Sequence, residues 1–399
     1  MLKAYSRLYQ AVFRLILHRM PWRQPELIKG EGCSSLIGDK VKTHGIDRVL
    51  LVSDLGLAKL GMVAQIKSSL EYANVQVTVY NQTQANPTID QIEEAVTLFH
   101  ACDAQGIVAL GGGSPMDLAK AVGARIARPD KTIQQLKGIL KVNRPIPPLF
   151  AIPTTAGTGS EVTVAAVVTD AHTKEKYAIS DMHLIPIVAF HDPLLTIGLP
   201  RHITATTGMD ALTHAIEAYL NHTSMPVTRI EAEEAVELVF ESLYVAYEDG
   251  HNIKARENML KAAFLGGAAF TKAYVGNVHA MAHQLGGFYG IPHGLANAVL
   301  LPVVLEYYGD AIEDDLAKLA VVAKLTTRNE SKRGQAYAFR EGVESLNAKM
   351  NIPRKLDDIK EEDLPILIKR ALAEVNPAYP VPVIFNARQM DEIFHKIMK

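Results

Sequence analysis

The chain has 399 residues, 48% of them hydrophobic and 21% charged, a mixture that supports buried cores in more than one domain. Lys and Arg number 41 against 43 Asp and Glu, so the formal net charge of −2 leaves no basic excess to meet nucleic-acid phosphates. Two cysteines, Cys33 and Cys102, cannot build a disulfide framework, which makes a reducing, cytoplasmic compartment the expectation.

Residues 1–20 form a basic amphipathic segment without an acid. Leu2, Tyr5, Leu8, Val12 and Leu15/Ile16 align on one helical stripe, with Lys3, Arg7, Arg14 and Arg19 mostly off it. Such a segment suits a membrane surface or a transit sequence. The favoured reading is a helix packed on its own protein or on a partner subunit. Pro21-Trp22-Arg23-Gln24-Pro25 ends it, setting residues 1–25 apart. No run of eighteen or more uncharged apolar residues is expected to span a bilayer.

From Glu26 to about Pro200, strand and helix patterns alternate. Strands are expected at 48–53, 75–80, 106–110, 149–153 and 187–190, with helices at 60–73 and 88–100. This alternation predicts a parallel sheet covered by helices, an α/β domain over 26–200. Beyond Pro200 the stretches 204–222, 226–247, 254–272, 311–325, 332–350, 362–374 and 387–398 read as helices, so 201–399 is expected to be all-α.

Four places carry chemistry. Asp54 closes the first strong strand. It is either the N-cap of the next helix or a carboxylate that accepts from an adenosine ribose hydroxyl and repels a 2′-phosphate, favouring NAD over NADP. Gly111-Gly-Gly-Ser-Pro-Met-Asp117-Leu-Ala-Lys120 joins a strand to a helix, where glycines admit a ligand closely and unpaired N–H groups attract phosphate. Pro115 suits the first helical turn, which needs no donor from it. Pro153-Thr-Thr-Ala-Gly-Thr-Gly-Ser follows another strand. Its Thr154, Thr155 and Thr158 either make local turns or bind nucleotide sugar and phosphate.

The fourth is a histidine block. His279, His283 and His293 lie within fifteen residues of one another, out of 14 histidines in the chain. His279 and His283 share a helical face; Gly286-Gly287 and Gly290-Ile-Pro292 are expected to interrupt that helix and return His293 towards it. Upstream, Gly208-Met-Asp210-Ala-Leu-Thr-His214 reads as a helix start that places a carboxylate and an imidazole one turn apart. Imidazoles with a carboxylate suit Fe(II) and Zn(II) alike.

Taken together in this order, these blocks resemble the iron-containing, metal-dependent group III alcohol dehydrogenases, from about residue 26 to the C-terminus. The resemblance implies an N-terminal dinucleotide-binding α/β domain and an all-α C-terminal domain, the dehydroquinate synthase-like architecture. It implies Asp210, His214, His279 and His293 as metal ligands, with iron preferred to zinc. His283 corresponds to an extra active-site histidine and is the candidate for relaying a proton. Gly112, Gly113, Ser114 and Asp117 correspond to the pyrophosphate loop. Thr154, Thr155, Thr158 and Thr163 correspond to neighbouring cofactor contacts. Asn86 and Lys176 correspond to further contacts, the lysine near the nicotinamide-side ribose. Ala165 and Phe270 fall at substrate-pocket positions, and the small Ala165 argues against a small diol.

The implied reaction is NAD(H)-linked oxidation of a small primary alcohol or reduction of an aldehyde. The metal polarises the substrate oxygen while hydride passes to or from nicotinamide C4. A homodimer is the expected assembly. The rival enzyme class, glycerol-phosphate dehydrogenase or dehydroquinate synthase-like, would need basic residues near the metal. A nucleotide-binding, membrane-docked module is the non-enzyme alternative.

Overall fold

The computed structural model describes every residue except Met1, His172, Lys174 and Asp358. Its contacts divide the chain into two units. One is Trp22–Gly198, and the other joins Leu199–Lys399 to the N-terminal residues up to Pro21.

In the first unit the strands are β1 (Glu26–Lys29), β2 (Arg48–Val52), β3 (Gln76–Tyr80), β4 (Gly106–Gly111), β5 (Gly138–Ile139), β6 (Leu149–Pro153), β7 (Ala165–Asp170), β8 (Glu175–Ser180) and β9 (Val188–His191). Six of them form a parallel sheet in the order β1-β9-β6-β4-β2-β3. The inner strands β4, β6 and β9 are buried throughout, which is why they read as continuous apolar runs rather than alternating ones. Alternate residues still feed two different cores. Leu50, Val52, Ile107 and Ala109 meet one helical layer, while Val49, Leu51, Val108 and Leu110 meet the other.

The sheet is flanked by α-helices in this unit. Once the N-terminal α1 (Leu2–Leu17) is counted, these are α2 (Ile37–Thr43), α3 (Leu55–Lys59), α4 (Met62–Tyr72), α5 (Ile89–Ala101), α6 (Gly113–Ala127) and α7 (Ile133–Leu136). A second small sheet, β5-β8-β7, contains the antiparallel pair β7 and β8. Polar Thr, Lys and Asp interrupt the apolar positions of this pair, so its strand pattern is weak in the sequence.

The second unit is built from α8 (Arg201–Leu220), α9 (Pro226–Glu248), α10 (Ile253–Ala273), α11 (Asn277–Tyr289), α12 (His293–Tyr308), α13 (Glu313–Val322), α14 (Lys332–Lys349), α15 (Leu364–Val375) and α16 (Ala387–Ile397). Helix α8 begins at Arg201, after Pro200, so Asp210 and His214 lie in its middle rather than at a start. Fifteen of its residues are buried, from Thr204 to Leu220. Helix α11 runs through Gly286-Gly287 without a break, since it packs along α15 and tertiary contact outweighs the glycine cost. Only Gly290, in a left-handed conformation with φ 71°, stops it. The Asn221 amide nitrogen lies 2.9–3.0 Å from the carbonyl oxygens of Ala273, Tyr274 and Val275, so its two hydrogens are shared among them, finishing α10 and aiming the chain into α11.

Among the described residues His293–Val322 is apolar and long enough to cross a membrane by length and composition. Yet the 3-10 turn Gly309–Ile312 interrupts it, and more than half of its apolar window is buried in the helical unit. The N-terminal helix packs on its own chain, the reading favoured from the sequence. Helix α1 joins the helical unit through its polar side, with Ser6 and Gln10 buried and the apolar stripe turned outwards. Arg7 donates to the carbonyls of Val381 and Pro382, and Gln10 to those of Pro377 and Tyr379. These bonds give donors to carbonyls of the 377–382 segment that would otherwise need them.

Gly294 sets how closely α12 approaches α8: a Cβ there would stand 2.3 Å from the Thr206 carbonyl oxygen. Gly294→Ala is therefore expected to force the start of α12 away, destabilising the protein by about 1–3 kcal/mol. Thermal unfolding should show a fall of several degrees, with a loss of divalent-metal affinity because His293 moves with it.

Candidate active site

Helix α8 carries Asp210, His214 and Glu217 at spacings of four and three, on one buried face. His279 projects from the first turn of α11, and His293 opens α12. Asp210, His279 and His293 each turn one ligand atom to a common point, all within 4.8 Å of one another. The Asp210 Oδ1 lies 3.7 Å from His279 Nε2 and 3.5 Å from His293 Nε2. Donors bound at about 2.1 Å around a tetrahedral cation are spaced by about 3.4 Å, so the three atoms already stand near the edges of such a polyhedron.

His214 is beside this group rather than in it. Its ring is sandwiched between Phe270, at 4.3 Å, and His279, at 4.4 Å, nearly parallel to both. Its proximity to Asp210 is electrostatic as well. Burial would raise the Asp210 carboxyl, but His214, His293 and His279 together hold it far below the usual carboxylate range.

The Asn297 side chain, four residues after His293, reaches the same point. Its Nδ2 lies 2.7 Å from Asp210 Oδ1, 3.1 Å from His279 Nε2 and 3.2 Å from His293 Nε2. An amide nitrogen has two hydrogens and cannot satisfy three lone pairs. The Asn297 carbonyl oxygen is itself buried without a partner. A converging set of electron pairs, short of donors and screened from water, is the chemistry of a divalent-cation site. The residues present fit one.

Glu217 holds that set in place. Its carboxylate accepts from the backbone N–H of Gly276 at 2.7 Å and of Val278 at 2.8 Å, and lies 2.6 Å from His279 Nδ1. An Nδ1–H given to Glu217 leaves the neutral ring with its Nε2 lone pair facing Asp210, the arrangement that metal-binding imidazoles need. Burial alone would lower the His279 imidazolium, but hydrogen bonds with Asp210 and Glu217 raise it to about 9. The surroundings favour positive charge.

His283 stands one turn beyond His279, its ring stacked 5.1 Å from that of His293. Its Nδ1 is 2.6 Å from Glu374 Oε1, to which the Tyr379 hydroxyl also donates at 3.0 Å. Gln284 donates to the other Glu374 oxygen. His283 is thus a half-buried imidazole with one nitrogen fixed.

In the α/β unit the predicted cofactor residues gather around the N-terminus of α6. A Cβ on Gly113 would stand 2.7 Å from Thr158 Cγ2, so the glycine turn and the hydroxyl-rich loop are in contact only because that residue is glycine. Gly112 is the N-cap, and Thr154 N–H donates to the carbonyl of Gly111. Asn86 N–H donates to Ser114 Oγ, and Lys176 Nζ lies 2.9 Å from Asn86 Oδ1. Asn86, Ser114 and Lys176 are therefore neighbours although 90 residues separate the outer two.

Other predicted residues turn inwards. Asp117 accepts from Ser160 Oγ and Val167 N–H, and burial raises its carboxyl although Lys120 opposes the shift. Thr163 is buried against Lys120, whose ammonium donates to Thr163 and Ala165 and is pushed down by burial to about 8. Asp117 and Thr163 brace the loops that meet at α6. Thr155 borders Gly112, and Asp54 caps α3 by accepting from Leu57 N–H. Ala165 opens β7, while Phe270 covers His214.

The sequence profile described as iron-containing alcohol dehydrogenase matches residues 24–193, and the profile for the C-terminal part of the Fe-containing family matches 204–398. The chain belongs to the iron-containing alcohol dehydrogenase family. It is 39% identical over 371 residues to 1,3-propanediol dehydrogenase of Citrobacter freundii, covering 92% of this chain and 95% of that one. Lactaldehyde reductase of Escherichia coli is 35% identical, covering 91% and 94%. The crystal structure of a 1,3-propanediol oxidoreductase superposes with a TM-score of 0.91 at 37% identity, over 95% of this chain and all of that one. Sulfoacetaldehyde reductase from Bifidobacterium kashiwanohense, solved in complex with NAD+, gives 0.82 at 28% identity over 95% and 99%. The parallel α/β unit followed by a helical unit is the dehydroquinate synthase-like architecture that this iron-dependent family shares.

Glu217, Asn297 and Glu374 were missed in the sequence. Glu217 had a signal, being seven residues after Asp210 on the same helical face, and Asn297 likewise four after His293. Glu374 had none, since 91 residues separate it from His283. Replacing Glu217 with Gln leaves either a backbone N–H without an acceptor or His279 in the wrong tautomer. Glu217→Gln is expected to weaken Fe(II) or Zn(II) binding about 10–100-fold, read by competition with a chromophoric chelator.

Proposed function

We propose that this enzyme oxidises small primary alcohols with NAD+, and reduces the corresponding aldehydes with NADH, at a site built on Asp210, His279 and His293. The observation that carries this reading is the convergence of those three donor atoms, with His279 held by Glu217. His214, stacked on His279, is the fourth residue we assign to the metal, and iron is favoured over zinc by the family. When bound, the cation supplies a Lewis acid for the substrate oxygen and the nicotinamide supplies the hydride carrier.

The chain's own residues do the remainder. Asp210 brings the negative charge that a divalent cation needs in a buried site. Glu217 keeps the His279 proton on Nδ1. Glu374 does the same for His283, so His283 Nε2 is the atom available to take the hydroxyl proton as an alcohol is oxidised and to return it in reduction. Phe270 gives an apolar wall beside His214 that suits an alkyl chain. In the other unit, the Gly112–Ser114 amides at the start of α6 suit a pyrophosphate, while Thr154, Thr155, Thr158, Asn86 and Lys176 border it. Asp54 has one oxygen on Leu57 N–H and still supplies a negative charge at the end of β2, which favours an unphosphorylated ribose.

A phosphorylated substrate is disfavoured by the neighbours of the three donors. Glu217, Glu374, Asn297 and Phe270 bring carboxylates, an amide and a ring, none of which carries the positive charge that a phosphate dianion calls for.

His279→Ala and Asp210→Ala should each reduce metal-dependent alcohol oxidation to background while far-UV circular dichroism stays unchanged. Turnover equal to wild type after chelation and metal add-back would remove the residue from the ligand set. Asp54→Gly should raise kcat/KM for NADP+ about tenfold or more relative to NAD+, an effect of about 1.4 kcal/mol; unchanged ratios would take Asp54 out of the cofactor site.

A further inference from the structure

The segment that follows α15 cannot fix its own position. In Asn376-Pro377-Ala378-Tyr379-Pro380-Val381-Pro382 three of the seven residues are prolines without a backbone N–H, so no helix or strand ladder can form there, and none does. Its carbonyls must find donors elsewhere. Helix α1 supplies four bonds. Gln10 Nε2 donates to the carbonyls of Pro377 at 3.1 Å and Tyr379 at 2.8 Å, and Arg7 to those of Val381 at 2.7 Å and Pro382 at 2.8 Å. Arg7 also donates to Gln10 Oε1 at 2.9 Å, which orients the amide between them. The Pro380 carbonyl accepts from the His222 N–H.

Tyr379 is held on a second side. Phe13 of α1 meets the Tyr274 ring at 5.8 Å, and Tyr274 meets the Tyr379 ring at 5.9 Å. Tyr274 sits at φ 68°, a backbone setting that glycine favours and that a bulky residue keeps only where its surroundings over-determine it. Strained residues of this kind gather where position matters to function. The use made of the fixed position is visible at the Tyr379 hydroxyl, which donates to Glu374 Oε1 at 3.0 Å. The same oxygen stands 2.6 Å from His283 Nδ1, while Gln284 donates to the other Glu374 oxygen at 2.9 Å. A carboxylate oxygen with one lone pair taken by Tyr379 has its other lone pair left for His283. Burial and the Glu374 charge beside it keep the Tyr379 hydroxyl well above its ordinary range, so it remains a donor. Contacts therefore run without a break from Gln10 and Phe13 through Tyr379 and Glu374 to the imidazole.

We propose that Tyr379 is a positioning residue for proton transfer at His283, acting through Glu374, and that α1 holds Tyr379 in place; this rests on the assignment of His283 Nε2 as the atom that takes the hydroxyl proton. The outermost part of the support then lies before residue 24, where the match to the family begins. The test uses the full-length, metal-loaded protein and the single-turnover rate of NADH formation from 1-propanol and NAD+. His283→Ala should slow that step about 100-fold. Tyr379→Phe keeps the ring and loses one hydrogen bond to a charged group, and should slow the step about tenfold. Gln10→Ala should slow it severalfold. In both of these variants KM for NAD+ and Fe(II) affinity, read by competition with a chromophoric chelator, should stay at wild-type values. Placed on His283→Ala, neither change should slow the step further, because the imidazole they position is gone. A wild-type rate in Tyr379→Phe or in Gln10→Ala would overturn the proposal. So would a fall in Fe(II) affinity, or a loss of rate that persists undiminished in the His283→Ala background. A wild-type rate in His283→Ala alone would instead remove the proton-transfer assignment itself, and this proposal with it.

Discussion

The metal-site half of this enzyme depends on one buried carboxylate. Glu217 accepts three hydrogen bonds or their equivalent, from two backbone amides at the start of α11 and from the His279 ring, while its own helix carries Asp210 and His214. A buried charge is costly unless fully bonded, and here the bonding partners are the very groups whose positions matter. The N-terminus of α11 has amides without helical acceptors, and Glu217 fills that need with a charge-assisted bond of the stronger kind. Helix packing, amide satisfaction and imidazole tautomer are thereby settled by a single side chain.

The same arrangement recurs at lower burial with Glu374 and His283. In both cases a carboxylate fixes the nitrogen that does no chemistry and leaves the other to act. Both histidines lie on one face of α11, and the carboxylates reach them from α8 and α15. The two roles proposed for these rings, holding a cation and moving a proton, would thus be separated by one helical turn and by which partner helix supplies the acid.

Much of this was legible beforehand because periodicity and local punctuation carry it. The inner strands β4, β6 and β9 announced themselves as apolar runs, and Gly290 ended α11 as its type suggests. The donors of Asp210, His279 and His293 converge because the chain returns after Gly290, while the i, i+4 partners His214 and His283 stand beside that set. What escaped depended on tertiary context. Gly286-Gly287 looked like a break and is not, since α15 supplies the contacts that the glycines lack. The apolar stripe of α1 was visible, but its outward direction was set by the carbonyls of Val381, Pro382, Pro377 and Tyr379, about 370 residues away in sequence. Asp117 was legible only as a candidate ligand contact; that it also braces its loop depends on Ser160, before β7, and Val167, on β7, which donate to it.

The ring stacked on His214 comes from α10, a helix that contributes none of the converging donors. A change at residue 270 therefore reaches the site through its stack on His214, while the helices that carry Asp210, His279 and His293 keep their backbone, so long as α10 stays against α8. Tolerance of change at that position and intolerance one layer below it would let a lineage explore new alcohols while the chemistry stays constant. In the proposed site, His214 and the ring at the pocket position 270 sit face to face yet belong to separate helices.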